Sequence, residues 1–355
     1  MITLCEPRGE ARPYTWPLLV IVVYFGLFSL LRIAGFMPHC NNLSLVGDIG
    51  GTNARFALLS GPSRELHHVA VLPCARYSGP AEAIEAYLTT HAQGERPGQA
   101  VLAFACPVSG DTIKMTNNHW QFSQTELRSG LDLQRLRVVG DFYAQAMAMP
   151  TLKPAQKLIL REGKAQPEAP ILVFGPGTGL GMATLVSIDG RWHPLTGEGG
   201  HTNLPARSPL EEQIVSYLRG RFEVVTCEHL CSGPGLENLY AAYSTLFHWD
   251  RWLTATDITT NALNREPNCM KVVEHFIDWM GCVAGNAALT TGTFGGVYLT
   301  GGILPQIKEL LAASHFLDAF DDKGVMHSYN RNIPVTLNLE PLSGLVGAAA
   351  ALAYG

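Results

Sequence analysis

Charge is scarce in this chain: Asp, Glu, Lys and Arg make up only 15% of 355 residues, and the formal net charge is −5. No run of Lys and Arg is dense enough to grip a phosphate backbone, so there is no electrostatic case for nucleic acid as a partner. Cysteine is present but unpatterned. Eight are scattered at 5, 40, 74, 106, 227, 231, 269 and 282; only Cys227 and Cys231 lie close together, and no His-rich partner follows at zinc-finger spacing. Free thiols in a reducing cytosol are the simplest reading, and no metal ligand is assigned. Short-period repeats and low-complexity tracts are missing too. With 47% apolar residues the chain is globular, long enough for one large or two modest domains.

Two familiar phosphate-binding signatures are also missing. Leu45-Val46-Gly47-Asp48-Ile49-Gly50-Gly51-Thr52-Asn53-Ala54-Arg55 has glycines after an apolar strand, yet no Gly-Lys-Ser/Thr follows, so it is not a P-loop. In Phe174-Gly175-Pro176-Gly177-Thr178-Gly179-Leu180-Gly181 the glycines fall at every second position and open a strand, which excludes a dinucleotide-binding fingerprint. What is present is the same device twice: buried strand, tight turn of little bulk, second strand. Such hairpin tips bring backbone N–H groups against an anion, and two of them suggest related lobes facing a polyphosphate.

From residue 43 the pattern predicts strands at 43–48, 55–60, 67–73 and 100–105, with a helix at 79–92 whose face carries Ala81, Ile84, Tyr87 and Leu88. Ser123 is placed to cap a helix over 124–130, with Glu126 three residues on. Val138-Val139-Gly140-Asp141 ends a short strand feeding a helix over 142–148. Pro150 and Pro154 break the chain, and the polar stretch 161–170 marks a domain boundary. The second half opens with a hairpin over 171–188, then helices at 209–221, 233–246, 256–263 and 268–291. A strand and glycine turn at 295–302 lead into 305–313. A strand at 333–339 precedes an Ala-rich helix at 342–353, in which Gly344 and Gly347 allow close backbone approach.

Several residue groups can carry chemistry. Gly50, Gly51 and Thr52 offer backbone N–H donors, Thr52 adds a hydroxyl, and Asp48 can organise water around Mg2+. Arg55 suits either a phosphate contact or a structural ion pair. Asp141 stands at a strand end, where it either projects into a cleft or caps the next helix. Glu198 and His201 bracket Gly199-Gly200. Rigid acceptors of this kind suit a polyol, because each hydroxyl left unpaired in a buried site costs on the order of 1–3 kcal/mol. A hydrolytic His–carboxylate dyad competes, but no activated Ser or Cys accompanies it. Glu228 opens a helical turn before a Gly-Pro-Gly break; alone it reads as a solvated surface residue.

In this order the motifs resemble those of bacterial glucokinase of the non-repressor type, within the actin-like/hexokinase ATPase superfamily. The segments are LVGDIGGTNARFALL (45–59), ACPVSGD (105–111), MTNNHWQFS (115–123), VVGDF (138–142), FGPGTGLG (174–181), LTGEGGH (195–201), CEHLCSGPGLENLY (227–240) and GTFGGVYLTGGILP (292–305). The resemblance implies an α/β, two-domain, ribonuclease H-like fold with an interdomain cleft. Its small domain would be 43–151 plus 342–355 and its large domain 152–341. It implies phosphorylation of glucose at the 6-hydroxyl with ATP and Mg2+, in the cytoplasm, by a homodimer. Asp141 falls at the catalytic base, and Asn117, Glu198, His201 and Glu228 at sugar-binding positions. Gly47, Asp48, Ile49, Gly50, Gly51 and Thr52 match one phosphate segment, Gly175, Gly177, Thr178 and Gly179 the other, and Gly301 and Gly302 the nucleoside turn.

One departure matters. The resemblance expects Asn before the catalytic Asp, and here it is Gly140. Losing that amide removes up to two hydrogen bonds to the sugar, ~1–3 kcal/mol if unreplaced. Water, Asn117 or Asn118 are the candidate substitutes. A kinase for another hexose and a non-catalytic sugar sensor stay open as alternatives; the intact Asp141 and both phosphate hairpins weigh against the sensor. The zinc-binding cysteine cluster of repressor-related sugar kinases is absent. Residues 1–42 lie outside the resemblance. Trp16–Leu31 is almost wholly apolar and resumes as 33–37, long enough for a marginal membrane span. The expected topology would export the rest of the chain away from ATP, so a mis-assigned start near Met37 is the leading expectation and a cytosol-facing anchor the second.

Overall fold

The computed structural model describes residues 43–61, 65–249 and 251–354. The apolar stretch over 16–37 and the start-site expectation lie outside the described residues. Among the described residues no helix is long and apolar enough to cross a membrane.

The first half builds β1 (Ser44–Ile49), β2 (Asn53–Leu59), β3 (Leu66–Pro73), α1 (Pro80–Thr90), β4 (Gln99–Phe104), β5 (Thr112–Lys114), β6 (Gln121–Ser123), α2 (Gln124–Gly130), β7 (Arg135–Gly140) and α3 (Asp141–Ala148). Five strands form a sheet in the order β3-β2-β1-β4-β7. β1 reads apolar on both faces because it lies in the middle, antiparallel to β2 and parallel to β4. Pro80 starts α1, where its missing N–H costs nothing. The buried face uses Ala83 beside Ile84, Tyr87 and Leu88; Ala81, expected there, is exposed. Ser123 Oγ accepts from Glu126 N at 3.1 Å and caps α2.

The second half carries β8 (Lys157–Arg161), β9 (Ile171–Pro176), β10 (Leu180–Ile188), β11 (Arg191–Gly197), α4 (Pro209–Arg219), α5 (Gly233–Phe247), α6 (Ala255–Leu263), α7 (Pro267–Thr291), β12 (Gly296–Leu299), α8 (Lys308–Ala312), α9 (Phe316–Asp321), α10 (His327–Arg331), β13 (Val335–Asn338) and α11 (Ser343–Ala351). Its six-stranded sheet runs β11-β10-β9-β12-β13-β8. Both edge strands differ from the reading of the sequence. β8 forms where only a proline-broken connection was expected, and β11 adds a third strand to the expected hairpin. β11 holds Pro194, tolerable because an edge strand needs donors on one side only. Gly233-Pro234-Gly235 is no break: it is the first turn of α5, capped by Ser232 Oγ accepting from Gly235 N at 3.0 Å.

Each sheet has its own apolar core. A third core joins them: Val46, Val101 and Val139 from one sheet and Val173, Ala183 and Leu185 from the other enclose residues of α3 and α11. There Gly347 of α11 rests against the backbone of Ala144 in α3, with no room for a side chain between.

Candidate active site

Strand register sets the site. β1, β4 and β7 run parallel, with Ile49 beside Phe104 and Phe104 beside Gly140, so their carboxyl ends finish level. The Gly50–Thr52 turn, Cys106 and Asp141 therefore emerge along one edge, the usual place for ligands in open α/β sheets. In the second sheet β9 and β12 are parallel, with Phe174 beside Leu299. Gly175–Gly179 and Thr300–Gly302 leave together, and Thr300 N donates to Phe174 O at 2.9 Å.

Asp141 is the first residue of α3 rather than the last of β7. Its Oδ1 accepts from Phe142 N at 2.8 Å, which satisfies one of the free amides of the first turn of α3. Burial pushes its pKa up from the usual 3.8 to about 6, the charges of Asp48 and Glu198 adding to the push. The neighbouring Cys106 thiol is driven to about 11, by burial first and the Asp141 charge second. Asp48 is raised by burial and drawn back by Arg55, 3.4 Å away. Arg55 thus makes an ion pair with Asp48. Asp48 and Glu198, named from two other motifs, both stand close enough for their charges to act on Asp141.

The turns narrow the set of donors. Gly50 N donates to Asn53 O at 2.9 Å and Gly177 N to Gly179 O at 2.7 Å, so both are used inside their turns. The amides of Gly51, Thr52, Thr178 and Gly179 have no hydrogen bond among the described residues. A Cβ on Gly51 would stand 2.9 Å from Asn117 O, which puts exposed Asn117 against the first turn. Asn118 Oδ1 accepts from Trp120 N at 2.6 Å, while its buried Nδ2 has no hydrogen-bond partner among the described residues. Of the two amides expected as replacements for the missing one, Asn117 lies against the first turn.

Glu228 is not a free surface residue. Its Oε2 accepts from Leu180 N at 2.8 Å and lies against Gly179, so it braces the second turn. Glu198 precedes and His201 ends a short 3-10 turn, Gly199–His201, and both are exposed, while Gly200 packs on Leu180. His229 is held below its usual pKa by burial, with the Glu228 charge opposing and His201 adding to the drop, which places all three together. Gly301, at φ +90, turns the chain against Pro176 O, a conformation glycine tolerates. Among the described residues no group of three or more His, Cys, Asp or Glu can hold a metal ion. Two residues that the sequence reading passed over also sit here. Gln145, one turn along α3 from Asp141, takes a hydrogen bond from Thr300. Their only sequence signals were that spacing and the position before Gly301.

Two sheets enclosing a pair of packed helices, each sheet sending glycine turns from its strand ends, define a sugar kinase of the actin-like ATPase fold. The family model for glucokinase matches residues 45–354. A glucokinase of Chromohalobacter salexigens is 43% identical over 310 residues, covering 87% of this chain and 97% of that protein. The crystal structure of a glucokinase from an Antarctic psychrotroph is 36% identical, with a TM-score of 0.79, over 88% of this chain and 99% of that one. A Balamuthia mandrillaris glucokinase solved with glucose shares the fold at 22% identity and a TM-score of 0.73, over 94% and 99%. The chain belongs to the glucokinase family.

Proposed function

We propose how the residues of this cleft divide the work of an ATP-dependent glucose kinase, the enzyme that the family membership makes this protein. Asp141 takes the proton of the sugar 6-hydroxyl as that oxygen bonds to the γ-phosphorus of ATP, the bond to the β-phosphate oxygen breaks and ADP leaves. With a pKa of about 6, the carboxylate is about nine-tenths ionised at neutral pH yet more basic than an ordinary Asp, as a general base requires. Phosphoryl transfer has a loose transition state, so positioning and charge stabilisation dominate. The free amides of Gly51, Thr52, Thr178 and Gly179 are the protein's donors to the phosphates.

Glu198, His201, Glu228 and Asn117 hold the sugar hydroxyls. Gly47, Asp48 and Ile49 bring the first turn to the phosphates, and Gly301 and Gly302 take the nucleoside. Mg2+ fits this donor set: Asp48 would hold it through water, and with no cluster of three or more acidic, His or Cys ligands among the described residues it would keep water and phosphate ligands and offset negative charge. Closure of a domain made of 43–151 and 342–355 on one made of 152–341 belongs to the same reading, as do homodimer formation and a cytoplasmic site of action.

The observation that supports this most is the position of Asp141, at the level ends of three parallel strands and within electrostatic reach of Glu198 from the other sheet. An ADP-release assay over glucose, mannose, N-acetylmannosamine and other hexoses tests it. Turnover is expected to favour glucose; ADP release with no hexose would remove the reading, and preference for another sugar would reassign the substrate.

A further inference from the structure

Gln145 lies four residues beyond Asp141 on α3, so the two side chains share one helix face a turn apart. Its Oε1 accepts two hydroxyls: Thr300 Oγ1 at 3.1 Å, just past β12, and Ser343 Oγ at 2.7 Å, at the start of α11. Thr300 Oγ1 accepts in turn from Asn338 Nδ2 at 3.2 Å, at the end of β13. An amide N–H can only donate, so the Thr300 hydroxyl proton must turn toward Gln145. That fixes the Gln145 amide with its oxygen on the two hydroxyls. Thr300, Ser343 and Asn338 are 2%, 5% and 3% exposed. Gln145 itself is half-buried, so the three partners are shielded from water on their own side, and displacing Gln145 would leave buried hydroxyls unpaired.

The relay joins two functional segments. Thr300 precedes Gly301-Gly302, and its main chain is tied to Phe174 of β9. Gln145 belongs to the helix that begins with Asp141. A shift of the glycine turn either carries α3 with it or breaks a buried, direction-fixed hydrogen bond. We infer that Gln145 is a positioning residue that makes sugar and nucleotide binding cooperative, by locking the orientation of Asp141 to the state of the Gly301-Gly302 turn. The inference rests on the reading of those two segments given above.

The test is calorimetric titration of the full chain with glucose, with and without a saturating non-hydrolysable ATP analogue. The analogue is expected to tighten glucose binding about fivefold or more. Gln145→Met keeps the length but loses the acceptor. It should bring that ratio to near one while changing each separate affinity by less than about threefold. Thr300→Val should do the same, and the double variant should lose no more than either single one, because both break one link. Gln145→Glu, whose carboxylate still accepts both hydroxyls, should keep the ratio. A parent enzyme without enhancement, a Gln145→Met enzyme that retains it, or additive losses in the double variant would each overturn the inference. A lowered melting temperature with the ratio intact would show a merely structural role and overturn it too. Failure of the base assignment would appear elsewhere, as retained turnover in Asp141→Asn, and would leave the binding ratio unchanged.

Discussion

Replacing Asp141 by Asn should make the unliganded protein more stable at neutral pH while removing its catalysis. The carboxyl titrates at about 6 in the folded chain against the usual 3.8. Between those values the folded state holds a proton that the unfolded state has lost. Stability therefore falls as pH rises through that window and stays lower above it. About two units at about 1.4 kcal/mol each gives at most about 3 kcal/mol, less whatever the solvent in the open cleft screens. Asn cannot ionise, and its Oδ1 can still accept from Phe142 N, so that hydrogen bond survives. Urea midpoints should show the Asp141→Asn variant to be the more stable above about pH 7, with the gain vanishing near about pH 4. Turnover should fall by about 100-fold to 10,000-fold, the range for loss of a general base. A stability difference that ignores pH would refute the electrostatic argument, and turnover within about tenfold of the parent would refute the catalytic one.

Glu198→Ala should raise the KM for glucose by about tenfold or more. It should also move the acid limb of kcat/KM down from about 6, since one of the charges raising Asp141 is gone; an unchanged KM would remove Glu198 from the sugar site. Gly140→Asn meets no obstacle, because φ −69 and ψ 155 suit any residue and the nearest atom to a new Cβ is Cys106 O at 4.0 Å. It should lower the KM for glucose by about threefold to tenfold, and steady-state kinetics showing a rise would mean that Asn117 or water already fills the role. Far from the cleft, burial alone would push Glu211 up, but hydrogen bonds from His275 and Arg207 outweigh it and hold it at about 2. Its contribution is therefore complete above the usual 4.5 and lost as pH falls toward 2. Glu211→Ala leaves Arg207 unpaired and should cost on the order of 3 kcal/mol in a urea unfolding curve at neutral pH; a loss under about 1 kcal/mol would contradict this.

The legible parts of the fold were those buried on both sides. β1, β2, β9 and β10 announce themselves by unbroken apolar runs meeting glycine turns, and α7 by its long helical period. β8 and β11 were not legible, because edge strands of five and seven residues leave mostly half-buried or exposed side chains, and the apolar run of β8 is only three residues, Leu158 to Leu160. The short helices α9 and α10 have too few turns to establish a period. In the cleft, Asp48, Asp141 and Glu198 could be named because each motif confines a carboxylate among glycines or at a strand end. The contact between Gln145 and Thr300 could not, since 155 residues separate them and only the meeting of α3 with β12 makes them neighbours. Asn118 shows another limit of sequence reading: its Oδ1 is taken by Trp120 N of its own loop while its buried Nδ2 is left without a partner, which spacing alone does not reveal.

The placement of α11 bears on how this protein is made. β1 emerges from the ribosome early, yet Val46 and its neighbours are covered by Leu345 and Ala348, which are synthesised about 300 residues later. Until then the inner face of the first sheet is covered only in part, by α3, and a nascent chain carries it incompletely buried through most of translation. Such an intermediate is a natural client for chaperones, and a message cut short before codon 343 should yield insoluble rather than merely inactive protein.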